Sequence, residues 1–80
     1  MGRAGTDLRQ VLETYGITQN RLAIVMGIWR SNVHRWVNEG ADPVGDAIID
    51  IRNALETIDP DAAKAFTLLY WERRINDEKE

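Results

Sequence analysis

Residues Gly16–Gly40 read GITQNRLAIVMGIWRSNVHRWVNEG, and this stretch decides the fold. It divides into two short helices around Met26-Gly27-Ile28. Thr18 is a good N-cap, because its hydroxyl can accept from an N–H that the first turn leaves unbonded. Behind it, Leu22, Val25 and Met26 fall at helical spacing and give one apolar stripe. Ala23 is small where a second helix has to cross closely. Gly27 can take the positive φ of a tight turn, which a residue with a Cβ resists. Val33, Trp36 and Val37 then form the inner face of the second helix, and Gly40 ends it. The predicted spans are about 19–26 and about 30–38.

Between the anchors of the second helix lie Arg30, Ser31, Asn32, His34 and Arg35, which are polar and mostly donors. They point away from the expected core. A helix that shows such a face at one end of a helical pair suits the major groove of DNA. Its start is unusual. Trp29 stands where a Ser, Thr, Asp or Asn would cap it. Either Ser31 is the cap and the helix begins one residue later, or Trp29 holds the place because it has another task. An exposed Trp29 would sit on the DNA side; a folded-back one would pack on Ile28. Packing is the expectation, since tryptophan is seldom exposed without a partner.

On the N-terminal side, Met1–Gly5 reads as a flexible arm, because Gly2 and Gly5 disfavour helix. Arg3 could reach a phosphate from it, but a silent tail is the expectation. A first helix is predicted over about 7–15, capped by Thr6, with Asp7 in its first turn against the positive end of the helix dipole. Leu8, Val11, Leu12 and Tyr15 make its apolar face, and Gly16 stops it. Ile17 then resembles a hydrophobic staple on the next helix.

On the C-terminal side, Asp42-Pro43 signals a fourth helix, with Pro at its first position, running to about residue 57. Val44, Ile48, Ile51, Leu55 and Ile58 form its stripe, with Ala47 and Ile49 beside it. Asp59-Pro60 repeats the start signal for a fifth helix ending near 75 or 76. Ala62, Ala63, Phe66, Leu69, Tyr70 and Arg73 line one broad side, and Leu68 and Trp71 extend it. This is more apolar surface than a last helix packed on one side uses. It either makes a wide contact within the monomer or meets a second copy through Phe66, Leu69, Tyr70 and Trp71, and the homodimer is the expectation. Residues 77–80 are a charged end expected to fray.

Eighty residues make one small domain with a thin core, which dimerisation would help to stabilise. The absence of cysteine and the single histidine argue against a metal site, and no cofactor is expected. No apolar run approaches the roughly 20 residues of a membrane span, and the first residues lack the apolar core of a signal peptide, so a cytoplasmic protein follows by default. The net charge of −3 argues against nucleic acid, but its distribution matters more. Residues 1–38 hold five Arg against Asp7 and Glu13; residues 39–80 hold five basic side chains against eleven acidic ones. The motif lies in the basic half.

The joint spacing of Gly16-Ile17-Thr18-Gln19, Leu22-Ala23, Met26-Gly27-Ile28, Val33 and Trp36 resembles the helix-turn-helix domains of the Cro/repressor type, also called XRE-type. The resemblance is strong over residues 7–40, looser through the fourth helix and weak over the fifth. It implies an all-α, compact five-helix domain, lambda-repressor-like, with the helix-turn-helix (residues 18–39) at its centre. It also implies binding to double-stranded operator DNA, commonly as a homodimer on a palindrome. Gln19 matches the position that holds a backbone phosphate and braces the recognition helix. Arg30 and Ser31 match base-reading positions, as does Arg35 one turn later, and Asn32 matches a phosphate position. His34 points more sideways. Thr18, Arg21 and Trp29 complete the expected DNA-facing set. The chain departs from the family in having Leu12 and Val37 where many members place a charged pair. It also has Glu39 and Asp42 where members often carry basic residues.

A DNA-binding transcriptional regulator, in repressor form, is therefore the expectation. The alternative is a helix-turn-helix adaptor that binds a protein. An enzyme is not expected, because the chain has no Gly-rich phosphate loop and no nucleophile beside His34 other than Ser31.

Overall fold

The computed structural model describes residues 3–39, 41, 43 and 45–78, without the side chains of residues 3 and 73–78. Two turns set the course of the chain, and both are made by the same device. Gly16 has φ 65° and Gly27 φ 72°. At each, the N–H of the following residue reaches back five residues: Ile17 to the Leu12 carbonyl at 2.9 Å, Ile28 to the Ala23 carbonyl at 3.1 Å. This left-handed closure satisfies carbonyls that a helix end leaves open, and it turns the chain sharply.

The helices are α1 (Arg3–Tyr15), α2 (Gln19–Met26), α3 (Arg30–Asn38), α4 (Asp46–Ile58) and α5 (Pro60–Glu78), with no strand among the described residues. α1 packs on α3 and α5, α2 on α3 and α4, and α4 on α5. The radius of gyration is 11.7 Å, a compact value for a chain of this length. The core joins Leu8, Val11 and Leu12 of α1, Leu22 and Ala23 of α2, Val33 and Val37 of α3, Ile51, Ala54 and Leu55 of α4, and Ala62, Ala63 and Phe66 of α5. Ile17 closes it between α1 and α2. Leu12 and Val37, at the positions of the family's charged pair, are both buried and line one depression, so the contact between α1 and α3 is apolar here.

Several expectations are corrected. The described part of the supposed arm is helical: α1 starts at Arg3, and Ala4 and Gly5 are buried. Thr6 is therefore inside the helix rather than at its cap. Asp7 is likewise interior and fully buried. The reason is close approach. A Cβ on Gly5 would run into the Trp36 carbonyl oxygen, with the carbonyl carbon at 3.2 Å and the Ala41 oxygen at 3.5 Å. Glycine at position 5 is there to let two helices touch, not to loosen the chain. Pro43 is buried but not helical; α4 begins three residues later, after Gly45. Met1, Asp42 as a cap, Val44 in the α4 stripe and the side chains of Arg3 and Arg73 lie outside the described residues. α5 extends past the expected end, to Glu78.

Candidate functional site

The α2–turn–α3 unit follows the sequence closely. Thr18 adopts an extended backbone (φ −81°, ψ 154°), and its Oγ1 accepts the Arg21 N–H at 3.0 Å. Trp29 occupies the N-cap of α3 (φ −72°, ψ 140°) with no side-chain cap bond, and its carbonyl accepts the Asn32 N–H at 3.0 Å. Ser31 is thus inside α3, not its cap. The expected packing of Trp29 on Ile28 is also overturned: the indole is 81% exposed. Ile28 packs against the core without it.

α3 is gripped by α1 and α2 along Val33 and Val37, with Trp36 half-buried beside them. The opposite side is free. Arg30, Ser31, His34, Arg35 and Asn38 are exposed, and Asn32 is half-buried. Arg30, Ser31 and His34 line one shallow depression. Thr18 and half-buried Gln19 line another, beside Val37 and Asn38 at the far end of α3 and Arg9 and Glu13 of α1. Arg21 lines neither depression, although its backbone N–H bonds to Thr18. It lies with Tyr15, Ile58 and Asp59 on the edge toward α4.

Charge distinguishes these two helices. α2 and α3 contain Arg21, Arg30 and Arg35 and no Asp or Glu. Among the described residues none of these three forms an ion pair. The other arginines with described side chains do: Arg9 meets Glu13 at 3.2 Å and Arg52 meets Glu56 at 3.8 Å, each one turn along its own helix. Sequence reasoning left His34 without a definite role. The structure ties it to its own end of the helix: the Asn38 amide donates to Nδ1 at 2.8 Å, and Nε2 lies 3.7 Å from the Glu39 carboxylate. Neither ring nitrogen is directed to Ser31 by a hydrogen bond among the described residues.

The second expected site, on α5, is split. Phe66 is 1% exposed and stacks on Tyr70 with ring centroids 6.3 Å apart, so it belongs to the core of the monomer rather than to an outer face. Leu69 and Tyr70 are half-buried. Trp71 is 58% and Leu68 61% exposed. Leu68 and Leu69 line an apolar depression with Gln10, Val11, Thr14, Tyr15 and Ala65, between α1 and α5. Leu68 was legible as apolar but not as the exposed member of the pair. Helical spacing gives a stripe, and only the position of α1 shows which half of the stripe is covered.

No protein-family model matches the chain. Neither does any characterised protein or solved structure it was compared with. The functional reading therefore rests on the residues and their arrangement. None of the described helices is long and apolar enough to cross a membrane.

Proposed function

We propose that this chain is a helix-turn-helix DNA-binding domain of the Cro/repressor type, a transcriptional regulator in repressor form that works in the cytoplasm. α3 enters the major groove with Arg30, Ser31 and Arg35 toward the base edges. The observation that carries the reading is uncommitted charge: Arg30 and Arg35 stand exposed and outside any ion pair on α3, a helix whose other side is locked into the core, and neither α2 nor α3 contains an acid. Guanidinium forks match guanine O6 and N7, and Asn32 and Gln19 are short enough to hold the backbone. The family resemblance supports the same orientation.

A single such unit offers few phosphate contacts. A homodimer through Leu68, Leu69, Tyr70 and Trp71 doubles them and sets two half-sites roughly 34 Å apart. The test is selection of bound sites from random duplex DNA, with the protein's mass in solution measured alongside. A palindromic site and a dimer mass support the proposal. Arg30→Ala is expected to lose discrimination at one base position and about 1–3 kcal/mol of binding. Intact sequence-specific binding by both Arg30→Ala and Arg35→Ala rejects the assignment. Exposed Leu68 and Trp71 also support a second reading, in which the α5 face holds a different protein and the domain is an adaptor. A monomer mass without DNA selection points there.

A further inference from the structure

Trp29 is unexplained by packing and by helix capping alike. It takes the N-cap of α3 and gives up the side-chain hydrogen bond that Ser, Thr, Asp or Asn makes there. Its indole is 81% exposed, more than any other large apolar side chain described. Ile24, near the end of α2, is 67% exposed, so the elbow between the two helices carries two uncovered apolar groups. Trp29 directly precedes Arg30 and Ser31, and neither α2 nor α3 contains an acidic residue.

On the DNA reading, on which this inference rests, the first residues of α3 come nearest the base edges. An indole at that tip donates one N–H and otherwise offers only apolar surface. The apolar group that base edges display in the major groove is the 5-methyl of thymine; 5-methylcytosine places a methyl at the same ring position. We infer that Trp29 receives the 5-methyl group of a pyrimidine in the major groove. The domain then reads part of its site without hydrogen bonds, and it senses cytosine methylation where that pyrimidine is a cytosine.

The probe is the duplex recovered by site selection, with each thymine replaced singly by deoxyuridine. A second set carries cytosine or 5-methylcytosine at the responsive position. One replacement per half-site is expected to weaken binding about fourfold, the effect of exposing one methyl group. 5-Methylcytosine should bind about fourfold better than cytosine there. Trp29→Ser restores a capping hydroxyl and keeps α3 formed, and it should bind thymine and deoxyuridine sites alike. Sequence-specific binding that ignores every methyl overturns the inference while leaving the DNA reading intact, and it gives the elbow to a protein. Methyl sensitivity that persists in Trp29→Ser also overturns it. Absence of any sequence-specific binding overturns both.

Discussion

Replacing Gly5 with alanine sets two rules of helix physics against each other, and the structure decides which wins. Gly5 lies in α1, where helix propensity alone makes alanine better by roughly 0.5–1 kcal/mol. The added Cβ, however, points at the Trp36 carbonyl oxygen of α3. That atom is backbone inside a helix and cannot rotate aside. Ordinary carbon–oxygen contact requires the two helices to part by about 1 Å. Leu8 and Leu12 on one side and Val33 and Val37 on the other then lose part of their packing. Such overpacking costs roughly 1–3 kcal/mol, from which the propensity gain is to be subtracted. Gly5→Ala is therefore expected to be destabilised by about 1–2 kcal/mol net. Total stability for 80 residues is on the order of 4–12 kcal/mol, so the loss is measurable. Urea titration followed by circular dichroism should show an earlier midpoint with little change in slope. The melting temperature should fall by about 4–16 °C. Gln10→Ala, exposed on the same helix, should move either quantity little. A Gly5→Ala protein as stable as the parent, or more so, would refute the close crossing of α1 and α3.

Three other outcomes follow from named contacts. Thr18→Ala removes the Oγ1 acceptor of the Arg21 N–H and should cost about 1 kcal/mol in chemical denaturation, largely recovered by Thr18→Ser. Gly27→Ala meets no atom within 4 Å, so its expected loss of roughly 1–2 kcal/mol is purely that of φ 72°; Gly27→Asn should lose less, and equal losses for the two would contradict this. Phe66→Ala empties the centre of the core and should cost about 3–5 kcal/mol, enough to unfold much of the population on warming. Trp71→Ser, by contrast, should leave the monomer's stability within about 0.5 kcal/mol while shifting the sedimentation of any dimer.

The sequence made α2 legible at both ends, because Thr18 and Gly27 mark them chemically, and it placed the body of α3 through the apolar triplet Val33, Trp36 and Val37; the start of α3 stayed open between Trp29 and Ser31 because no capping side chain marks it. α1 was misjudged where one residue type has two uses. A glycine near a terminus signals looseness by composition, and only the third dimension shows that Gly5 admits another backbone. Pro43 misled in the same way. The Asp-Pro pair that opens α5 correctly stands three residues too early for α4, because Gly45 supplies the actual cap. The polar face of α3 was readable from periodicity. The freedom of its arginines was not, since pairing depends on which acids come within reach. Trp29 could not be placed from its neighbours, because the same elbow geometry allows an indole to fold in or stand out.

The placement of charge has a consequence for how this molecule would meet a duplex. The chain is a net anion, yet among the described arginine side chains the ion-paired ones, Arg9 and Arg52, sit on α1 and α4 and the unpaired ones on α2 and α3. It therefore has a direction in an electric field. Beyond a Debye length, about 8 Å at physiological salt, the molecule as a whole is weakly repelled by phosphate. Inside that distance, on the proposed DNA reading, the field would exert a torque that brings the unpaired arginines of α3 forward. Encounters in the wrong orientation are rejected before contact, so the collisions that remain are few but already aligned. Added salt screens the distant repulsion as well as the near attraction, which should make the association rate less steep in salt than the equilibrium constant.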